Sequence, residues 1–380
     1  MIRVLHLVTW LERGGLETWL LSMLQAIPRA TVRMDFCCKG PSVGTLAETA
    51  ERWGAQVFHC PLRPDHVGFV GGLRRLIREG GYDVVHNHLE AYSGVGAWVG
   101  RGAGVPVITS FHNTEFPPQT WTRLPGLREL RGVYAGLSRR CAVRWSRYVT
   151  GCSRAVLMQV APRSARRAGG RVLYYGVDPR QPATRAERDA LRREMGWPPG
   201  SPVIVHVGRM VAQKNHQGLL DVFRRVTRAM PEARLLCVGD GPLRAAVERR
   251  IARAGLGGQA RCVGVRSDAR DLLGRSDVLL LPSRHEGLGL VALEAGAVGL
   301  PVVGSRIPGL DEVVLDGETG ALHAVDDVDG MAGSVLGILR DREAAERLGA
   351  AGQRRVRDHF SIQASAERLA GLYRECAGIG

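Results

Sequence analysis

The chain has 380 residues, 45% of them hydrophobic and 6% aromatic, enough apolar material for two cores. No run of about 18 apolar residues occurs, which argues against a membrane-spanning helix, and the eight cysteines show neither a Cys-x2-Cys pair nor zinc-like spacing with histidine. The net charge of +15 is carried almost wholly by arginine, since Lys39 and Lys214 are the only lysines.

The N-terminal apolar run is too short for a signal peptide, and Glu12 and Arg13 follow it at once, so it reads as a first strand. In the first half, strands are predicted at 3–9, 32–38, 56–60, 83–87, 106–111 and 148–152, with helices between them such as 16–26 and 69–78. After the first strand, the pair Gly14-Gly15 lets backbone approach a ligand at the carboxyl edge of a sheet. A plain tight turn needs the same pair, and a Gly-x-Gly-x-x-Gly fingerprint is absent. Glu17 then stands as a helix-start acid. The run Asp83 to His88 is a strand ending in polar residues; its His86-x-His88 pattern invites a metal, but with no third ligand nearby that reading is weak. A second strand of the same form ends in His112 and Asn113.

From Arg123 to Arg171 twelve arginines stand against one acid, Glu129, a blockwise excess that marks an anionic partner. Leu124, Leu127, Leu130, Val133, Leu137 and Cys141 recur within it at three- and four-residue spacing, which predicts a helix with one apolar stripe. That stripe faces either a core or an anionic lipid surface. A linker is placed at 178–202, where prolines surround a polar helix.

The second half repeats the alternation, with strands at 203–207, 234–238, 261–263, 278–281 and 302–304 and helices running to about 376. Such β-α alternation predicts open parallel sheets wound on both faces. Arg209 and Lys214 follow the strand at 203–207 and can converge on a diphosphate, unless both are simply solvated. Gly239-Asp240-Gly241-Pro242 is a turn feeding a helix. Val263 and Gly264 end a strand where backbone groups can meet a nucleotide base.

The stretch 283–296 organises the whole chain. A helix from Gly287 to about Val298 is predicted, glycine-rich at its start, with Gly287, Leu288, Gly289 and Leu290 offering backbone N–H groups to an anion. Glu286 precedes it and Glu294 lies inside it, about 12 Å further on if the rise is helical. Two carboxylates around an anion site match the layout of a nucleotide-sugar: sugar hydroxyls, diphosphate, ribose hydroxyls. The plainer alternative is that Glu286 caps the helix and Glu294 pairs with an arginine. Asp326, Asp327 and Asp329 suggest a metal, but N-capping of the helix that follows is the better account.

The Glu-x7-Glu of Glu286 and Glu294, the Gly-Arg-x4-Lys ending at Lys214 and the Gly-Gly-x-Glu of Gly14 to Glu17 together resemble GT-B-fold retaining glycosyltransferases, family 4 (glycosyl transferases group 1) in particular. The resemblance covers nearly the whole chain. It implies an α/β fold of two Rossmann-like, doubly wound parallel-sheet domains facing a central cleft. An acceptor-side domain would span 1–178, rejoined by the C-terminal helix at about 360–380, and a nucleotide-sugar domain 179–359. It implies ribose held by Glu294, the donor sugar by Glu286 and His112, and the leaving diphosphate stabilised by Arg209 and Lys214. The amides of Gly14, Gly15 and 287–290 would line the donor, and Val263 and Gly264 the base; His86, His88 and Asn113 would lie toward the acceptor. Relatives carry Phe where this chain has Leu288 and Asn where it has Tyr175, which puts acceptor contacts at Tyr175 in doubt.

The expected reaction moves a hexose or N-acetylhexosamine from a nucleotide diphosphate sugar, UDP being the preferred base, to a hydroxyl acceptor in polysaccharide, glycolipid or glycoside biosynthesis. No metal and no cofactor are expected, and no specific nucleic acid partner. The expected location is the cytoplasm, with peripheral contact at the inner membrane face and a lipid-linked acceptor as options. A nucleotide-sugar epimerase on the same scaffold and, on charge alone, a nucleic-acid binder remain as rivals.

Overall fold

The computed structural model describes residues 1–62, 66–113, 125–162 and 169–379. The chain forms two compact units, one of Met1–Gly176 with Ile362–Gly380 and one of Val177–Ser361. Each is built on a parallel sheet, and the α/β, doubly wound reading holds for both.

The first unit carries β1 (Ile2–Val8), β2 (Val32–Cys38), β3 (Val57–His59), β4 (Val84–Asn87), β5 (Val107–Phe111), β6 (Tyr148–Gly151) and β7 (Gly170–Val172), in spatial order β3-β2-β1-β4-β5-β6-β7. The second carries β8 (Val203–Val207), β9 (Arg234–Val238), β10 (Ala260–Cys262), β11 (Val278–Leu281), β12 (Val302–Ser305) and β13 (Gly320–His323), in order β10-β9-β8-β11-β12-β13. Helices cover both faces of such sheets, so inner strands are buried throughout; Val278 to Leu281 is wholly apolar and wholly buried for that reason. The strand order reverses between β1 and β4 in one sheet and between β8 and β11 in the other. Ligands of open α/β sheets bind at such switch points, beyond the carboxyl ends of the strands.

The helix Ile362–Ala377 packs in the first unit. Trp19 Nε1 donates to Ser365 Oγ at 2.9 Å, and Ser365 Oγ donates to the Tyr174 carbonyl at 2.9 Å. The stretch 178–202, expected as a linker, is instead an integral part of the second unit. Its helix Arg185–Glu194 starts in a Thr184/Glu187 capping box. Buried Arg192 donates to Asp277 Oδ2 at 2.6 Å and to the Ser201 carbonyl at 2.8 Å. One buried arginine with a carboxylate partner converts a polar, proline-flanked segment into core. The strands β7 and β13 were not predicted, and the helix expected from Gly287 begins only at Leu290.

Candidate functional site

At the switch point of the second unit, the loop after β8 meets the loop after β11. Arg284 N–H donates to the Gln213 carbonyl at 2.8 Å, and Gln213 Nε2 donates to the His285 carbonyl at 2.8 Å. Lys214 Nζ donates to Glu286 Oε1 at 2.6 Å, with side chains 16% and 7% exposed. The lysine stem lies over Gly208, whose added Cβ would stand 3.2 Å from Lys214 Cε. Asn215, left-handed at φ 50, caps the next helix by accepting from Gly218 N–H. The sharp turn this makes holds Lys214 against the sheet edge. Arg209 is exposed on the same loop.

Glu286 is thus four residues ahead of the helix Leu290–Ala297, in the loop, so helical rise does not set its distance from Glu294. Gly289 N-caps that helix at φ 80, a left-handed conformation in which a Cβ would meet Leu310 Cδ1 at 2.9 Å. Glu294 is paired, as the plainer alternative had it: Arg270 Nε donates to its Oε1 at 3.3 Å. Burial raises the Glu294 pKa, and Arg270 and Arg180 oppose that rise. Arg270 is a residue the sequence reading missed; a buried glutamate in an apolar helix signals that such a partner must exist. Nearby strands carry buried polar atoms that find no partner among the described residues: His206 Nε2 on β8, Ser283 Oγ after β11 and Ser305 Oγ on β12. Val263 and Gly264 lie beside β9, with Val263 N–H donating to the Cys237 carbonyl and Gly239 N–H to the Gly264 carbonyl. Asp327 caps the helix Val328–Arg340 by accepting from Gly330 N–H at 2.8 Å, the N-capping expected of that acidic run.

The switch point of the first unit is built differently. Gly14 N-caps the helix Gly15–Ala26, and a Cβ there would strike Glu17 Oε2 at 2.4 Å. Burial pushes the Glu17 carboxyl up to about 7. After β4, Glu90 takes a left-handed φ of 53, which is strained for a residue with a Cβ. Its Oε1 accepts from His112 N–H at 3.1 Å and from Asn113 Nδ2 at 3.2 Å, while its buried Oε2 finds no partner among the described residues. Burial raises this carboxyl to about 8. The sequence reading passed over Glu90, whose signal is an acid directly after a buried strand end.

His112 stands at the carboxyl end of β5, as expected, but both ring nitrogens are engaged. Nδ1 is hydrogen-bonded to the Tyr175 hydroxyl at 2.7 Å and Nε2 to His88 Nδ1 at 2.9 Å. His86 and His88 lie beneath the edge, 0% and 2% exposed, placed to act through His112 more than on a ligand. The third imidazole absent from the sequence argument comes from β1: His6 pairs in register with His86, and nitrogens of His6, His86 and His88 lie within 4.8 Å of one another. Every one of those six nitrogens has a hydrogen-bond partner. Burial lowers all four histidines, His6 and His112 to about 3, so they are neutral. Tyr175, which replaces the expected Asn, closes this network.

The helix Pro125–Trp145 carries Leu130, Val133, Leu137 and Cys141 of the expected stripe, and the first three of these do not face a core among the described residues. Leu130, Val133 and Leu137 are 67%, 62% and 54% exposed, whereas Ser138 and Ala142 are the buried positions. Leu124 and the arginines at 123, 163, 166 and 167 lie outside the described residues. No helix among the described residues is long and apolar enough to cross a membrane.

Known proteins share this architecture. The family signature described as Glycosyltransferase Family 4 matches residues 13–181, and that described as Glycosyl transferases group 1 matches residues 187–355. The alpha-D-kanosaminyltransferase of Streptomyces kanamyceticus is 30% identical over 80% of this chain and 79% of its own. The GDP-mannose-dependent alpha-(1-6)-phosphatidylinositol monomannoside mannosyltransferase of Mycolicibacterium smegmatis is 28% identical over 95% of both chains. The crystal structure of Anabaena HepE in complex with UDP-glucose superposes with a TM-score of 0.84 over 99% of this chain and 100% of that one; at 19% identity it bears on fold alone.

Proposed function

The chain belongs to the GT-B glycosyltransferases of family 4 and is a glycosyltransferase; from that premise we propose that it transfers a hexose or N-acetylhexosamine with retention, without a catalytic metal, to a hydroxyl acceptor. The observation that carries the reading is the Lys214–Glu286 pair at the switch point of the second unit. An ammonium has three donors, so Lys214 can stay on Glu286 and still bind a phosphate oxygen. Glu286 orients the lysine and offers its other oxygen to sugar hydroxyls. Arg209, exposed on the same loop, closes on the diphosphate with a bidentate fork. The N–H groups at the start of Leu290–Ala297 add a fixed positive field. Together they stabilise charge as the C1–O bond to the diphosphate breaks. A diphosphate oxygen then takes the acceptor proton on the same face, and no protein base is required. Glu294, held by Arg270, receives the ribose hydroxyls. The donor base is proposed as uracil, the base in the HepE complex; the mycolicibacterial relative, by its name, takes GDP-mannose, so the base is the first thing to measure.

On the acceptor side, the exposed stripe Leu130, Val133 and Leu137 lies on a helix that also carries Arg139, Arg140 and Arg144. This arrangement supports seating on an anionic bilayer, each arginine near the surface adding about 1 kcal/mol. A lipid-linked acceptor is the matching proposal, in keeping with the phosphatidylinositol monomannoside named for that relative. Incubation with UDP-, GDP-, ADP- and dTDP-sugars and lipid-linked or soluble acceptors tests the whole reading. A product that keeps the donor's anomeric configuration, formed in EDTA, is expected. Inverted product, dependence on added metal, or epimerised donor formed without acceptor overturns it.

A further inference from the structure

The first unit contains a continuous chain of hydrogen bonds that the transfer reaction does not use directly. It runs from Thr150 Oγ1 to Ser110 Oγ at 2.5 Å, and from Ser110 Oγ to His86 Nε2 at 2.6 Å. From His86 Nδ1 it passes to the Tyr373 hydroxyl at 2.7 Å, then to His6 Nε2 at 3.2 Å. His6 Nδ1 meets His88 Nε2 at 3.1 Å, His88 Nδ1 meets His112 Nε2 at 2.9 Å, and His112 Nδ1 meets the Tyr175 hydroxyl at 2.7 Å. Tyr373, on the helix Ile362–Ala377, is the link that joins two otherwise separate segments.

A neutral imidazole has one N–H and one bare nitrogen. Each ring in the chain must therefore donate one way and accept the other. Two proton patterns satisfy every link and leave neither the Tyr373 nor the Ser110 hydroxyl proton unpaired. In one, Tyr175 donates to His112, and all four histidines carry their proton on Nε2. In the other, Thr150 donates to Ser110, and all four carry it on Nδ1. A mixed pattern sets two donors or two bare acceptors face to face in the interior, where water cannot relieve them. If the Tyr373 hydroxyl accepted from both His86 and His6, its own proton would be left unpaired in the interior; donating to one ring and accepting from the other, it brings His86 into agreement with His6, His88 and His112.

We propose that Tyr373 is a positioning residue that sets the tautomer of His112 through His6 and His88, so that the direction of the hydrogen bond between His112 and the Tyr175 hydroxyl is fixed from the helix Ile362–Ala377. The effect expected on turnover rests on the reading of His112 beside the donor sugar. The same hydrogen bonds compete with a metal at His6, His86 and His88, because each of their six ring nitrogens already has a partner in the chain.

The test is 15N NMR of the full chain labelled at histidine, where a protonated and a bare ring nitrogen are well separated. In the wild type, His6, His86, His88 and His112 are expected to be neutral at pH 7 and to show one common tautomer. Tyr373→Phe, which keeps the ring and removes the hydroxyl, is expected to break that agreement and to shift the ring nitrogens of His112. A kcat loss of roughly ten- to a hundredfold, the size typical of partners that orient a working histidine, is expected with unchanged affinity for free UDP. Ser110→Ala cuts the far end and is expected to move His112 in the same assay. Opposite tautomers at His86 and His112 in the wild type, a charged ring, or unmoved His112 signals in Tyr373→Phe overturn the proposal; so does stoichiometric Zn2+ uptake lost in His6→Gln. If Tyr373→Phe does not fold, the wild-type tautomers alone decide. Shifted tautomers with unchanged kcat keep the proton link and remove His112 from the sugar.

Discussion

The two switch points share a backbone plan and differ in chemistry. In the first unit the strand ends are lined by neutral histidines and tyrosines whose polar atoms satisfy one another. In the second they carry an ion pair and an exposed arginine whose charge is available to a ligand. The lesson is that one fold supplies two kinds of surface. In the second unit donors are left with bonding capacity; in the first they are tied down.

Lys214→Ala should show the contrast most strongly, because it removes the movable cation and leaves Glu286 buried without its partner. A fall in kcat of about 100- to 1000-fold is expected, measured with saturating donor and acceptor on folded protein. A variant that retains wild-type turnover breaks the assignment of charge stabilisation to the second unit. Next in size is Glu294→Ala. Charged hydrogen bonds to ribose are worth about 1.5–3 kcal/mol, so calorimetry with the free nucleoside diphosphate should show a loss of roughly ten- to a hundredfold in affinity.

Acid should separate the units. The four lowered histidines of the first unit stay neutral when folded but take protons when unfolded, so each loses stability as pH falls below about 6.5. Glu17 and Glu90, raised by burial, act in the opposite sense: they bind protons in the folded state and favour folding as pH drops toward about 4.5. Four against two leaves a net loss between these values, at about 1.4 kcal/mol per pH unit for each net proton. In the second unit His206 and His216 are lowered and Glu294 raised, a smaller imbalance. Hydrogen exchange from pH 7 to pH 4.5 should therefore show the first sheet opening before the second; the reverse order contradicts the neutral-histidine description. The smallest effect is expected for Leu137→Glu. Its side chain is exposed, so stability should change by less than about 0.5 kcal/mol, while binding to anionic vesicles falls and activity on a soluble acceptor is kept.

Strand ends and their polar residues were legible because buried parallel strands are apolar runs of β-branched and leucine residues. His112 stands directly after such a run, and Lys214 and Glu286 stand in the loops that follow two others, at the switch point of the second unit. What escaped was whatever depended on a distant partner. His6 is separated from Tyr373 by 367 positions and Arg270 from Glu294 by 24, and no local pattern announces either pair. A polar residue inside an apolar strand, such as His6, says only that a partner exists. The strands β7 and β13 escaped because each is short and begins at glycine, Gly170 and Gly320. The exposed stripe was seen as a stripe, but its direction depends on which neighbours bury Ser138 and Ala142.

The return of Ile362–Ala377 to the first unit sets the order in which the polypeptide can mature. As the chain leaves the ribosome, the second unit, 177–361, is contiguous and complete before the last residues of the first have appeared. Until Tyr373 and Ser365 emerge, His6 and His86 each lack one of their two partners, Trp19 lacks the acceptor for its N–H, and the first sheet lacks one of its covering helices. The portion synthesised first is thus the portion finished last. The half that carries the histidine chain is sealed only once the half that carries Lys214 and Glu286 has already been made.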